Sequence, residues 1–157
     1  MGKIDISKNK CLKLTNVISA LVEAENLVEF NALVDKINNY ILSKGALPIG
    51  PIIQKTEYVV NEEGQMDVRF YLMRQSNNFI HSVELPYKID SVIRVPDCMY
   101  ARYIGPEETL KFAYDKISII AFEEDIDLST ENYTILVDQQ DDDIVADVFI
   151  QKKDNHE

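Results

Sequence analysis

Apolar and polar residues alternate along CLKLTNVISALVE, residues 11–23. Leu12, Leu14, Ile18, Ala20 and Val22 fall on one side, and the period of two breaks only at Asn16. This predicts a strand with one buried face. The rhythm then changes. In ENLVEFNALVDKINNYILSKG, Leu27, Phe30, Val34, Ile37 and Ile41 recur at intervals of three and four, the stripe of an amphipathic helix. Asn26 suits its N-cap, Glu29 the capping-box carboxylate, and Gly45 the C-terminal turn. Beyond PIGP, IIQKTEYVV and MDVRFYLMR read as two strands joined by the acidic turn NEEG.

The same order recurs in the second half. DCMYARYIG, residues 97–105, reads as a strand ending at Gly105-Pro106. Pro106 suits the first turn of a helix, where its missing N–H costs nothing, and Glu107 and Glu108 favour the positive end of the helix dipole. Leu110, Ala113, Tyr114, Ile117, Ile120 and Ala121 make the stripe, and ENYTILVDQQ and IVADVFIQK close a hairpin around Asp141-Asp142-Asp143. A shift of eighty residues lays Asp35-Lys36-Ile37 on Asp115-Lys116-Ile117 and Asp67-Val68 on Asp147-Val148. It also aligns Phe30 with Leu110, Val34 with Tyr114 and Ile41 with Ala121. Order, stripe and identities agree on an α+β fold. Two fused β-α-β-β modules around a pseudo-twofold axis are expected, with mainly antiparallel sheets and two long helices. Module one covers about 11–74, a connector 75–96, module two about 97–152 and a polar tail 153–157, all in a single domain. One three-stranded sheet leaves a face exposed, so the modules are expected to pair around a cleft.

Strand alternation assigns the faces. In MDVRFYLM, Met66, Val68, Phe70 and Leu72 are expected under the helix, leaving Asp67, Arg69, Tyr71 and Met73 opposite. In IVADVFI, Ile144, Ala146, Val148 and Ile150 form the core set, leaving Val145, Asp147 and Phe149 opposite. An acid and an aromatic on the helix-free face suit a flat or cationic organic ligand, with ring area, cation–π attraction and countercharge. The ligand-binding candidates are therefore Asp147, Phe149, Asp67, Arg69 and Tyr71. Tyr58, Tyr100, Tyr103 and Tyr133 are further strand aromatics, of which Tyr58, Tyr100 and Tyr133 join the candidates. Asp67 and Arg69, two residues apart on one face, are also placed to pair with each other, whereas no basic residue stands beside Asp147 on its face.

Charge and composition narrow the partners. The 157 residues hold 27 acids against 16 bases, a net charge of −11 that repels phosphate backbones, so no nucleic acid is expected. No apolar run approaches the roughly 20 residues of a membrane span. The N-terminal stretch lacks a signal-peptide pattern, which leaves no membrane partner and a cytoplasmic location. Cys11 and Cys98 are too few and too isolated for a disulfide framework or a metal knuckle. His81 and His156 are the only histidines, and the acidic turns lack the alternating spacing of a calcium loop. HExxH, Walker, GxSxG and GxGxxG motifs are absent, so no metal, cofactor or catalytic residue is assigned and the reading leans away from an enzyme.

Strand, then Gly105-Pro106-Glu107-Glu108-Thr109-Leu110, then helix, hairpin and a closing acidic strand resembles the GyrI-like domain. The resemblance spans about 12–152 and is clearest in YIGPEETLKFAYDKI and VADVFIQ. It implies an effector-binding module of two fused β-α-β-β units, a kind found attached to multidrug-responsive transcription regulators and also alone. In the family a Glu usually opens the last strand and points into the ligand cleft; Asp147 occupies the matching position. The chain departs from the pattern in entering its first helix through EAENL without a Gly-Pro turn, and in lacking Trp. No helix-turn-helix segment is read before residue 12, and the connector QSNNFIHSVELPYKIDSVIRVP is long. Its alternation at Phe79, His81, Val83 and Leu85 predicts an extra strand or an interaction arm. Such divergent stand-alone relatives resemble an uncharacterised bacterial group of Gram-positive species.

Non-enzymatic binding of a small organic ligand, cationic or aromatic, in the inter-module cleft is therefore the leading expectation. The first alternative is a protein–protein interaction module that has lost its ligand and takes a protein partner or forms a homodimer. The second is a small-molecule hydrolase using a cleft acid, with Asp147, alone or together with Tyr133, as the group involved.

Overall fold

The computed structural model describes residues 3–22 and 30–153. Its elements run β1 (Lys3–Val22), α1 (Phe30–Ser43), β2 (Pro48–Val60), β3 (Met66–Ser76), β4 (Tyr87–Pro106), a 3-10 turn (Glu107–Thr109), α2 (Lys111–Glu123), β5 (Leu128–Gln140) and β6 (Asp143–Lys152). The fold is α+β with antiparallel strand pairing, and the order strand, helix, strand, strand occurs twice. The chain divides into two compact units, Lys13–Arg94 and Met1–Leu12 with Val95–Glu157. Among the described residues no helix is long and apolar enough to cross a membrane.

In the unit Lys13–Arg94, β3 pairs with β1 from Val17 opposite Gln75 to Val22 opposite Phe70, and on its other edge with β2. The stripe of α1 lies on this sheet, with Ile37 and Ile41 buried against Ile18, Leu72, Ala46 and Ile80. The Asn26 cap, Glu29 and Leu27 fall outside the described residues.

In the unit that contains Val95–Glu157, β6 pairs with β4 from Cys98 opposite Gln151 to Pro106 opposite Asp143, and with β5 on its other side. Ala113, Ile117 and Ala121 of α2 are buried, and the core joins Ala113 and Ile117 to Met99, Ala101, Tyr103, Ala146 and Val148. Pro106 precedes the 3-10 turn as its cap residue, so the α-helix proper begins only at Lys111, five residues after Pro106. Tyr103 ties this corner, since its hydroxyl bonds the Pro106 carbonyl at 2.5 Å and also meets the Thr109 hydroxyl.

The two helices end on the same device. Ala46 N–H reaches Ile41 O at 3.2 Å and Gly45 N–H reaches Leu42 O at 3.0 Å, a Schellman pair with Gly45 at φ 81°. Eighty residues on, Ile126 N–H reaches Ala121 O at 2.8 Å and Asp125 N–H reaches Phe122 O at 3.4 Å, with Asp125 at φ 56°. The long strands share a device too. Asn16, where the alternation breaks, has φ 50°, and its counterpart Asp97 has φ 54°. Asn and Asp are the side chains that tolerate this left-handed backbone best after glycine.

Strand registers correct the repeat. The pair Ile53–Met73 corresponds to Tyr133–Phe149, and Val17–Gln75 to Cys98–Gln151. The helices and second strands thus match at eighty residues, but the first strands match at eighty-one and the last at seventy-six. The turn between β5 and β6 is shorter than the Asn61–Gln65 turn between β2 and β3. Asp147 therefore corresponds to Tyr71, and its sequence match to Asp67 is not a structural equivalence.

Other expectations change as well. β1 starts at Lys3 instead of near Cys11, because Ile4 and Ile6 continue the apolar alternation and pack on the core of their unit. β4 starts at Tyr87, ten residues before the expected Asp97. No strand forms at Phe79–Leu85: Ile80 is the buried residue there, Val83 packs beside it, and His81 meets Phe79 edge-on at 5.1 Å. Of the set expected under α1, Leu72 is buried, but Met66 and Val68 run past the helix and are exposed.

Candidate functional site

β4 and β6 cross-pair Tyr100 with Phe149 and Arg102 with Asp147, while β5 sets Tyr133 beside Phe149 and Ile135 beside Asp147. Met99, Ala101 and Tyr103, with Ala146 and Val148, point to α2, so these six lie on the helix-free face. The result is a row of three rings next to a row containing an ion pair.

Asp147 is held on both oxygens. Arg102 Nε donates to Oδ1 at 2.8 Å and Arg102 Nη2 donates to Oδ2 at 2.9 Å, the bidentate fork of a strong ion pair. The Tyr100 hydroxyl adds a bond to Oδ1 at 2.9 Å. The Asp147 side chain is 13% exposed and that of Arg102 is 42% exposed. Hydrogen bonding to Asp147 raises the Arg102 guanidinium above its ordinary value. Burial, then the bond to Asp147, pushes the Tyr100 hydroxyl above the usual tyrosine range. The expectation that no base stands near Asp147 is thus corrected: alternation along one strand cannot see the neighbour that β4 supplies.

Tyr100 and Phe149 lie 5.0 Å apart at 50°, and Lys10 Nζ stands 5.6 Å from the centre of the Tyr100 ring. Phe149 and Tyr133 are only 8% and 6% exposed, so Tyr100, which is half-buried, is the ring open to a visitor. Cys98, on the same face, is fully buried, and burial pushes its thiol up to about 11.

The remaining candidates belong to the other unit and do not form an equivalent cluster. Arg69 pairs at 3.8 Å with Glu57, its cross-strand neighbour, and not with Asp67, which stays exposed opposite Val59. The Tyr71 hydroxyl reaches Glu57 at 3.5 Å, and Lys55 Nζ lies 5.4 Å over the Tyr71 ring. Tyr58 is opposite Val68, on the helix side of the sheet, and so leaves the expected face. At the positions matching Tyr100, Arg102 and Phe149 stand Ser19, Leu21 and Met73. Arg102, Glu57 and Lys10 were missed from sequence. Arg102 alone had a signal, since it follows Tyr100 by two residues and shares its face.

No family model and no curated protein matches the chain. Among solved structures it is similar to EcmrR in the cryo-EM structure of an EcmrR–DNA complex in EcmrR-RPo, with 14% identity and a TM-score of 0.60 over 98% of this chain. It spans 58% of that chain, a little over half. It is also similar to SAV2435 bound to tetraphenylphosphonium, with 10% identity and a TM-score of 0.52 over 96% of this chain and 94% of that one. At these identities the likeness shows the fold. It is an α+β fold shared with both of these proteins.

Proposed function

We propose that the chain is a non-enzymatic GyrI-like module, related to a group from Gram-positive bacteria, that binds a small organic molecule in the cytoplasm. The ligand rests on the Tyr100 ring beside Phe149, with the Arg102–Asp147 pair supplying polar contacts. The observation that carries the reading is this cluster on the helix-free face, in a fold whose solved neighbour SAV2435 holds tetraphenylphosphonium. DNA belongs to the EcmrR complex; a net charge of −11 argues against it as a partner here.

Thermal melting of the full chain against a panel of lipophilic cations, aromatic acids and neutral aromatics tests the proposal. A ligand held at about a hundred times its dissociation constant adds about 2.7 kcal/mol, a shift of several degrees. The shift should be lost in Tyr100→Ala. Silence across the panel would reject the reading.

A second reading rests on its own observation. Tyr58 opposite Val68 and Val60 opposite Met66 make an apolar quartet on one face of the β2–β3 hairpin, all exposed, with Val60 at 67% and Met66 at 62%. A patch of this kind suits a protein partner or a second copy of the chain. Light scattering across a concentration series should then show self-association that Val60→Lys abolishes; a strict monomer that retains no protein partner would reject it.

A further inference from the structure

We infer that the site at Tyr100 selects an aromatic molecule bearing a carboxylate or similar small anion over an aromatic cation. The inference rests on the ligand-binding reading above and refines its charge class. An unpaired Asp147 would have favoured a cation, but Arg102 takes both of its oxygens and Tyr100 bonds one of them again. Once that pair cancels, the Lys10 ammonium 5.6 Å from the centre of the Tyr100 ring adds a positive charge beside it.

The unused hydrogen-bonding capacity has the same sign. A guanidinium carries five N–H donors, and Asp147 engages two of them. The other three belong to a side chain that is 42% exposed and lies beside the Tyr100 hydroxyl. A ring seated on Tyr100 would thus bring its substituent to donors. An acceptor or anion gains there, whereas a cation would meet Arg102 and Lys10 with no free carboxylate oxygen.

The overall charge of −11 opposes this only at long range. At 0.1 M salt the screening length is about 10 Å, so distant acids fade while a contact with Arg102 does not. The unit Lys13–Arg94 carries a looser set of the same residue types, with Lys55 over the Tyr71 ring and Arg69 3.8 Å from Glu57, so variants at Arg102 and Lys10 are needed to assign a probe to Tyr100.

The test compares three probes of one shape, 1-naphthoate, 1-naphthamide and 1-naphthylmethylammonium, titrated calorimetrically into the full chain at pH 7 and 0.1 M salt. Naphthoate should bind about tenfold more tightly than the ammonium, with the amide between them. In Arg102→Gln the order should reverse, because Asp147 is released. If that variant does not fold, Lys10→Gln at its exposed position should weaken naphthoate about threefold and leave the amide unchanged. Equal binding, or preference for the ammonium in the wild type, overturns the inference and leaves the binding reading standing. Failure of all three probes overturns both. A naphthoate preference that neither variant alters places the site elsewhere on the chain and also overturns the inference.

Discussion

Arg102 on β4 grips Asp147 on β6 with two parallel hydrogen bonds, Nε to Oδ1 and Nη2 to Oδ2, at directly opposed positions of the two strands. The partners differ in exposure, 42% for Arg102 and 13% for Asp147, so removing one is not equivalent to removing the other. Arg102→Ala strands a mostly buried carboxylate and should cost about 2–3 kcal/mol. Asp147→Ala leaves an arginine that water can solvate and should cost about 1 kcal/mol. Urea midpoints for the two variants measure the asymmetry; equal losses would contradict it.

The helix ends give a second comparison. Gly45 and Asp125 both hold a left-handed backbone at the C-terminus of a helix. Asp125→Gly removes a conformational penalty and should stabilise the protein by about 1 kcal/mol. Gly45→Ala should destabilise it by about the same amount. An added Cβ at Gly45 meets nothing within 4 Å, so the loss there would come from the backbone alone. Thermal denaturation of both variants checks the opposite signs.

Thiol chemistry should separate the two cysteines. Cys11 is exposed, whereas Cys98 is buried and its thiol is pushed up to about 11. At pH 8 a disulfide reagent should react rapidly with one thiol in the native chain and with the second only on unfolding. Cys11→Ser should abolish the fast phase; persistence of that phase would mean that Cys98 is accessible.

Alkaline titration should report on Tyr100. Its hydroxyl lies above the ordinary value of about 10 in the folded chain, because burial and Asp147 both favour the neutral form. The folded state then holds a proton that the unfolded state has released, so stability falls as pH rises from about 10 through the folded value. That stabilisation is fully present below pH 10. Tyr100→Phe should flatten the fall in this range, measured as the urea midpoint against pH; an unchanged slope would remove Tyr100 as its source.

Much of the fold could be read along the chain because its signals are local. Alternation at Leu12–Val22 and the stripe from Phe30 to Ile41 depend only on which residues follow one another, and the buried pair Ile37 and Ile117 sits where the periodicity puts it. The break in alternation at Asn16 and the glycine at 45 both coincide with left-handed backbone. Only pairing between strands decided the site. The different hairpin lengths made Asp147 the counterpart of Tyr71 instead of Asp67, and the register of β4 on β6 placed Arg102 against Asp147. Those two residues are forty-five positions apart, and a contact between distant strands is set by turn length and bulges, which leave little trace in the period of either strand.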